Sequence, residues 1–232
     1  MELRDHRQAA VITRYEVALA DRLLRQRWFS MVTLGGFFGI LPATLTAAAV
    51  TQSRPSIAAG SLLLAGIAHG GAVGWSQARI LRSILIGFQP SVWTAATAAG
   101  VGIGWAVGLS PMLRPQPSAN QSTTIQIPVE VAGALGAVLT VGVAQWYVLR
   151  RWTDRAPLWP WASAVAWISG AAAFAACTLL PWPQTRGSAV GLAGAALGGL
   201  AMADRQRGVV GHFASSFAVS RRSAGRPISG TP

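Results

Sequence analysis

Four side chains that could do chemistry stand within long apolar runs of this sequence: His69, Gln77, Glu130 and Gln145. A polar group inside a bilayer-length apolar segment is costly unless something takes it up. Each is therefore a candidate for ligand binding, proton transfer or bonding between helices. The glutamines stand out because they recur. The string Gly74-Trp75-Ser76-Gln77-Ala78-Arg79-Ile80-Leu81-Arg82 returns later as Gly142-Val143-Ala144-Gln145-Trp146-Tyr147-Val148-Leu149-Arg150. Both copies read Gly-x-x-Gln-x-x-x-Leu-Arg. Each amide offers two donors and an acceptor oxygen, so the pair could bond helix to helix or line a polar site for a small molecule.

His69 could ligate a haem or chlorin, relay protons, or bond across helices. The other histidines, His6 and His212, lie outside the apolar runs, so bis-histidine ligation within one chain is not expected. Glu130 follows Pro128 at the start of an apolar run. That order suits a first helical turn whose carboxylate complements the helix dipole, with a proton or cation role as the competing reading. Arg82, Arg150 and Arg151 close the two glutamine runs and should anchor them at lipid headgroups by snorkelling. No paired membrane acids, Ser/His pair, His-Glu-x-x-His string or phosphate-binding glycine loop is present, so no catalytic residue and no enzyme activity is expected. A single cysteine, Cys177, is too little for a thiolate metal site and reads as a packing residue. Neither a metal nor a cofactor is expected.

The elements that must position these groups follow from composition. Of 232 residues, 52% are hydrophobic and 11% charged, and mean hydropathy is +0.42. Soluble domains carry about 25% charged residues, so much of this chain belongs in lipid. The net charge of +12 comes from arginine alone, and the arginines cluster beside apolar runs. That placement follows the positive-inside rule and argues against nucleic acid as a partner. Six runs approach the roughly 20 residues a spanning helix needs: 30–50, 57–77, 92–113, 128–149, 159–180 and 188–203. The last is short and Gly-rich. With the N-terminus inside, 16 arginines fall on the cytoplasmic side against three outside, Arg54, Arg114 and Arg186. Both termini are expected in the cytoplasm, at the inner membrane of a bacterium.

The repeat extends beyond the glutamine string. The same offset maps Val73 onto Val141, Trp93 onto Trp161, Ala96 onto Ala164, Ala98 onto Ala166 and Gly102 onto Gly170. Two tandem two-helix units result, about 62–109 and 130–177. They are separated by an even number of spans and so share one orientation, unlike inverted repeats.

Residues 1–28 read as an amphipathic, arginine-rich cytoplasmic helix, with Ile12, Tyr15, Leu19 and Leu23 on one face and an Asp21–Arg25 pair on another. Such a helix suits the anionic inner leaflet or a docked partner. Residues 29–204 form the six-span domain, and 205–232 a mobile basic tail, with Asp204 expected to find an ion partner at headgroup level. Glycines at four-residue spacing, such as Gly35/Gly39, Gly66/Gly70/Gly74 and Gly100/Gly104/Gly108, give flat helix faces for close packing within the chain or between copies. Trp28, Trp93, Trp152, Trp159, Trp161 and Trp182 suit an interfacial belt. Trp75, Trp105, Trp146 and Trp167 fall deeper, as core or as lining for a lipid, quinone or pigment.

The string Gln145-Trp146-Tyr147-Val148-Leu149-Arg150-Arg151, followed by Trp159 and Trp161, resembles multi-pass bacterial membrane proteins whose spans end in Gln-Trp-x-x-Leu-Arg motifs, often in tandem. The resemblance covers roughly residues 62–180. It departs at Gln77, which is followed by Ala78. It implies an architecture and no activity.

The expectation is an all-α polytopic bundle of six transmembrane helices with a tandem two-helix repeat and cytoplasmic termini. Its expected role is non-enzymatic, as an accessory or scaffold subunit meeting a membrane partner, or its own copies, through Gly-rich faces. The alternative is a small-molecule or lipid transporter or binding protein with its polar site around Gln77 and Gln145.

Overall fold

A computed structural model describes residues 2–113, 123–178, 193–194 and 196–207. Side chains are described from Glu16 on, except at 17, 123–132, 134, 174 and 177–178. Every regular element among the described residues is helical: α1 (Glu2–Ala49), α2 (Pro55–Ile84), α3 (Pro90–Leu113), α4 (Thr123–Leu149), a 3₁₀ turn (Ala156–Leu158), α5 (Trp159–Thr178) and α6 (196–207). Three stretches are long and apolar enough to cross a membrane, Ala18–Ala49, Pro55–Ile84 and Pro90–Leu113, and α4 adds a shorter apolar stretch, Leu135–Leu149. The protein is thus a helical one with the apolar lengths of a membrane protein.

Local chemistry sets the ends of these helices. Pro55 and Pro90 open α2 and α3, where a missing N–H costs nothing. The connection after α2 turns at Gly87, whose φ of 72° lies in the left-handed region that side chains resist. Trp152 Nε1 donates to the Ile86 carbonyl at 3.0 Å, so this turn is clasped by the connection between α4 and α5. Phe88 fills the join, with its ring 5.5 Å from that of Trp152 and 5.9 Å from that of Trp93.

The boundary expected at residues 28/29 is one of composition only. Helix α1 runs without interruption from Glu2 to Ala49, so the N-terminal arm continues the first apolar helix as one rod. The expected Asp21–Arg25 ion pair forms. Leu19 and Leu23 are exposed, whereas the side chains of Ile12 and Tyr15 lie outside the described residues. So do residues 114–122, the side chain of Cys177 and the residues beyond Arg207.

The helices close into a ring, and glycine sits in each seam. A Cβ on Gly35 would strike Ser76 of α2, and one on Gly74 would come within 2.8 Å of Thr97 Cβ on α3. At Gly100 it would meet the Val141 backbone of α4 at 2.7 Å, and at Gly142 the Pro160 backbone of α5 at 2.7 Å. Gly170 faces the Gly198 carbonyl of α6, and Gly199 returns to the Thr33 carbonyl of α1 at 3.2 Å. Small residues at such positions let backbones approach closely, which is how helices gain contact in lipid. The glycine spacing thus acts within the chain at these seams. Gly60, Gly71, Gly108 and Gly136 instead have open space where a Cβ would go.

The densest core lies at the end of the bundle marked by Arg82 and Arg150. There Trp28, Val32, Val73, Leu81, Trp93 and Trp159 are buried together. Large apolar side chains such as Leu64, Leu45 and Ile86 are exposed.

Candidate functional site

Gln77 near the end of α2 and Gln145 near the end of α4 are fully buried and meet directly. Gln145 Nε2 donates to Gln77 Oε1 at 2.9 Å. The same nitrogen donates to Thr97 Oγ1 of α3 at 3.0 Å. Gln145 Oε1 accepts from Trp159 Nε1 at 2.8 Å and, at longer range, from Ser163 Oγ at 3.4 Å, both on α5. Gln77 Oε1 also accepts from Trp93 Nε1 at 3.1 Å, and Gln77 Nε2 donates to Gln206 Oε1 of α6 at 3.0 Å. One hydrogen-bonded cluster therefore joins α2, α3, α4, α5 and α6.

Three indoles roof the cluster. Trp159 meets Trp28 edge-on at 6.0 Å and Trp93 at 5.7 Å, and all three are almost wholly buried. Edge-to-face contact suits the aromatic quadrupole and lets Trp93 Nε1 and Trp159 Nε1 aim at the amides. The reason the chain puts tryptophan here is positional. Trp93 and Trp159 lie where α3 and α5 begin, and each bonds the glutamine near the end of the preceding helix.

The two copies thus use their tryptophans alike, but the partner of Trp93 is Trp159 and not Trp161. Trp161 is 68% exposed and suits the interfacial belt. The register slips because the path from glutamine to tryptophan is shorter in the second copy: 16 residues separate Gln77 from Trp93, and 14 separate Gln145 from Trp159. The same slip aligns Thr97 with Ser163, both of which bond Gln145. Trp28, Trp93 and Trp159 were expected in the belt as well and are core instead. Trp75, expected deeper, is exposed, with the Arg79 guanidinium stacked 4.7 Å over its ring.

Gln206, Thr97, Ser163 and Trp28 were missed as polar-cluster residues. A signal existed for Gln206, since it ends an even-numbered apolar run as Gln77 and Gln145 do. Asp204, Arg205 and Arg207 around it make the stretch look like a solvated tail. Asp204 does pair, with Arg207 one turn on. Trp28 Nε1 and Gln206 Nε2 are buried without a hydrogen-bond partner.

His69 lies two turns from Gln77 on α2, about 12 Å along the axis at 1.5 Å per residue. It is buried apart from the amide cluster, its ring 5.6 Å from that of Trp167. Glu130 falls in α4 with its side chain outside the described residues. Arg82, Arg150 and Arg151 are exposed at one end, and Arg150 lies 4.0 Å over the Tyr147 ring. Among the described residues no group of three metal-ligating side chains comes together.

Chemically the cluster is neutral. Amides, indoles and hydroxyls bond well, but none is a proton carrier or an activated nucleophile here. All but one of the hydrogen-bonding positions of Gln145 and Gln77 go to other protein groups. No family model matches this chain, and no curated protein or solved structure matches it either.

Proposed function

We propose that this chain is a multi-pass inner-membrane protein with six spans and cytoplasmic termini, acting as a non-enzymatic accessory or scaffold subunit. One observation carries the reading: Gln77 and Gln145, the strongest binding candidates, spend their hydrogen bonds on each other and on neighbouring helices. A transport site needs polar groups that a solute can reach, and these are fully buried. The same cluster and its tryptophan roof fill the arginine-bearing end of the bundle, which by the arginine distribution faces the cytoplasm.

A scaffold must offer an outer face, and α2 has one. Gly71 has open space beside it, and Trp75 and Arg79 follow at four-residue spacing on the same exposed stripe. Small-plus-aromatic relief of this kind suits a partner helix in the membrane. In-membrane cross-linking should therefore give one discrete larger product. Gly71→Leu, whose Cβ has open space around it, should abolish that product while leaving the chain's abundance unchanged. An uncross-linked monomer, together with solute uptake that Gln77→Leu eliminates, would establish the transporter alternative instead.

A further inference from the structure

Beside His69, helices α1, α2, α3, α5 and α6 leave a half-open cavity of about 450 Å³. Its wall is almost entirely carbon, from Ile40 and Ala43 of α1, Leu62 of α2 and Met202 of α6, together with Trp105 of α3 and Trp167 of α5. Two polar side chains reach it. The Thr44 hydroxyl is already donated to the Leu41 carbonyl at 2.9 Å. His69 is 7% exposed, and its Nδ1 is buried with no hydrogen-bond partner. A second cavity of about 740 Å³, between α3, α4 and α5, shares Trp105, Trp167 and Ala171 with the first.

Size and lining select the occupant. Pockets for small molecules span about 300–1,000 Å³, with mostly apolar walls and a few placed polar groups. An engineered apolar cavity of about 150 Å³ takes benzene, so this one has room for two rings or a comparable stretch of lipid. The two indoles in the lining favour a flat, unsaturated group. A lone imidazole nitrogen in such a wall needs one partner atom from the occupant.

We propose that this cavity binds a lipophilic, ring-bearing molecule carrying a carbonyl or hydroxyl oxygen that hydrogen-bonds His69. The site is independent of the amide cluster and of any partner on α2. A neutral imidazole presents either an N–H or a lone pair on the nitrogen that faces the occupant, so it serves a carbonyl or a hydroxyl according to tautomer.

Three probes of one shape separate the terms: benzophenone with a carbonyl, benzhydrol with a hydroxyl, and diphenylmethane with neither. Binding to the full chain purified in mild detergent is measured for each, and benzophenone is photolysed to label its surroundings. One oxygen-bearing probe should bind roughly 10-fold more tightly than diphenylmethane, the size of one buried hydrogen bond. Photolabel should fall on cavity residues such as Ala43, Leu62 or Met202. His69→Leu should remove the preference for oxygen while leaving diphenylmethane binding intact. Ala171→Phe, which projects a ring into the space from an exposed position, should abolish binding of all three even if His69→Leu fails to fold. Equal binding of the three probes, or label confined to the outer surface, would overturn the proposal.

Discussion

At the scale of residues, the unusual feature is a set of uncharged polar side chains that satisfy one another in an apolar interior. A buried donor or acceptor left without a partner costs roughly 1–3 kcal/mol, which makes each member of the cluster matter more than its own bond. Trp159 and Trp161 provide a matched pair. Trp159→Phe keeps the ring but orphans one bond to Gln145 Oε1 and should lower stability by about 1–2 kcal/mol. Trp161→Phe changes an exposed ring and should fall within about 0.5 kcal/mol of the parent. Detergent-solubilised unfolding curves of the two variants test the register directly, and the opposite ranking would restore the Trp161 alignment. Gln77 and Gln145 were legible in the sequence because each interrupts an apolar run at a repeated position. The choice between Trp159 and Trp161 was not legible, since it depends on the path length of a connection closed by Trp152 and Phe88.

At the scale of elements, glycine decides how near neighbouring helices come. Close seams require backbone where a side chain would otherwise stand, and the Gly100–Val141 and Gly142–Pro160 contacts are backbone against backbone. Gly100→Val should therefore push α3 from α4 and cost about 1–3 kcal/mol as overpacking. Gly60→Ala, with nothing within 4 Å, should be neutral or stabilise by up to about 1 kcal/mol through helix propensity. Thermal melts of both variants check the contrast, and equal effects would mean that the seams are looser than described. The four-residue glycine spacing announced these faces in advance. It could not say which glycines meet a helix and which stay open, because that depends on how the ring closes. The continuity of α1 was also hidden, since a change from polar to apolar composition reads as a break even where helix geometry carries straight through.

At the scale of the whole molecule, two devices hold the ring: glycine seams along its circumference and an amide–indole cluster tying five helices at one end. The apolar run lengths made a helical chain with helices long enough to cross a membrane readable from composition. The bond from Gln77 to Gln206 and the apolar space beside His69 emerge only from the closed arrangement. The central claim is that Gln77 and Gln145 act on each other as one structural unit. A double-mutant cycle of Gln77→Leu, Gln145→Leu and the pair, read by unfolding in detergent, tests it most directly. The expected result is strong non-additivity, with a coupling of about 1 kcal/mol or more. Strictly additive losses would contradict the account, because two side chains sharing a 2.9 Å hydrogen bond at the centre of the cluster cannot be removed independently.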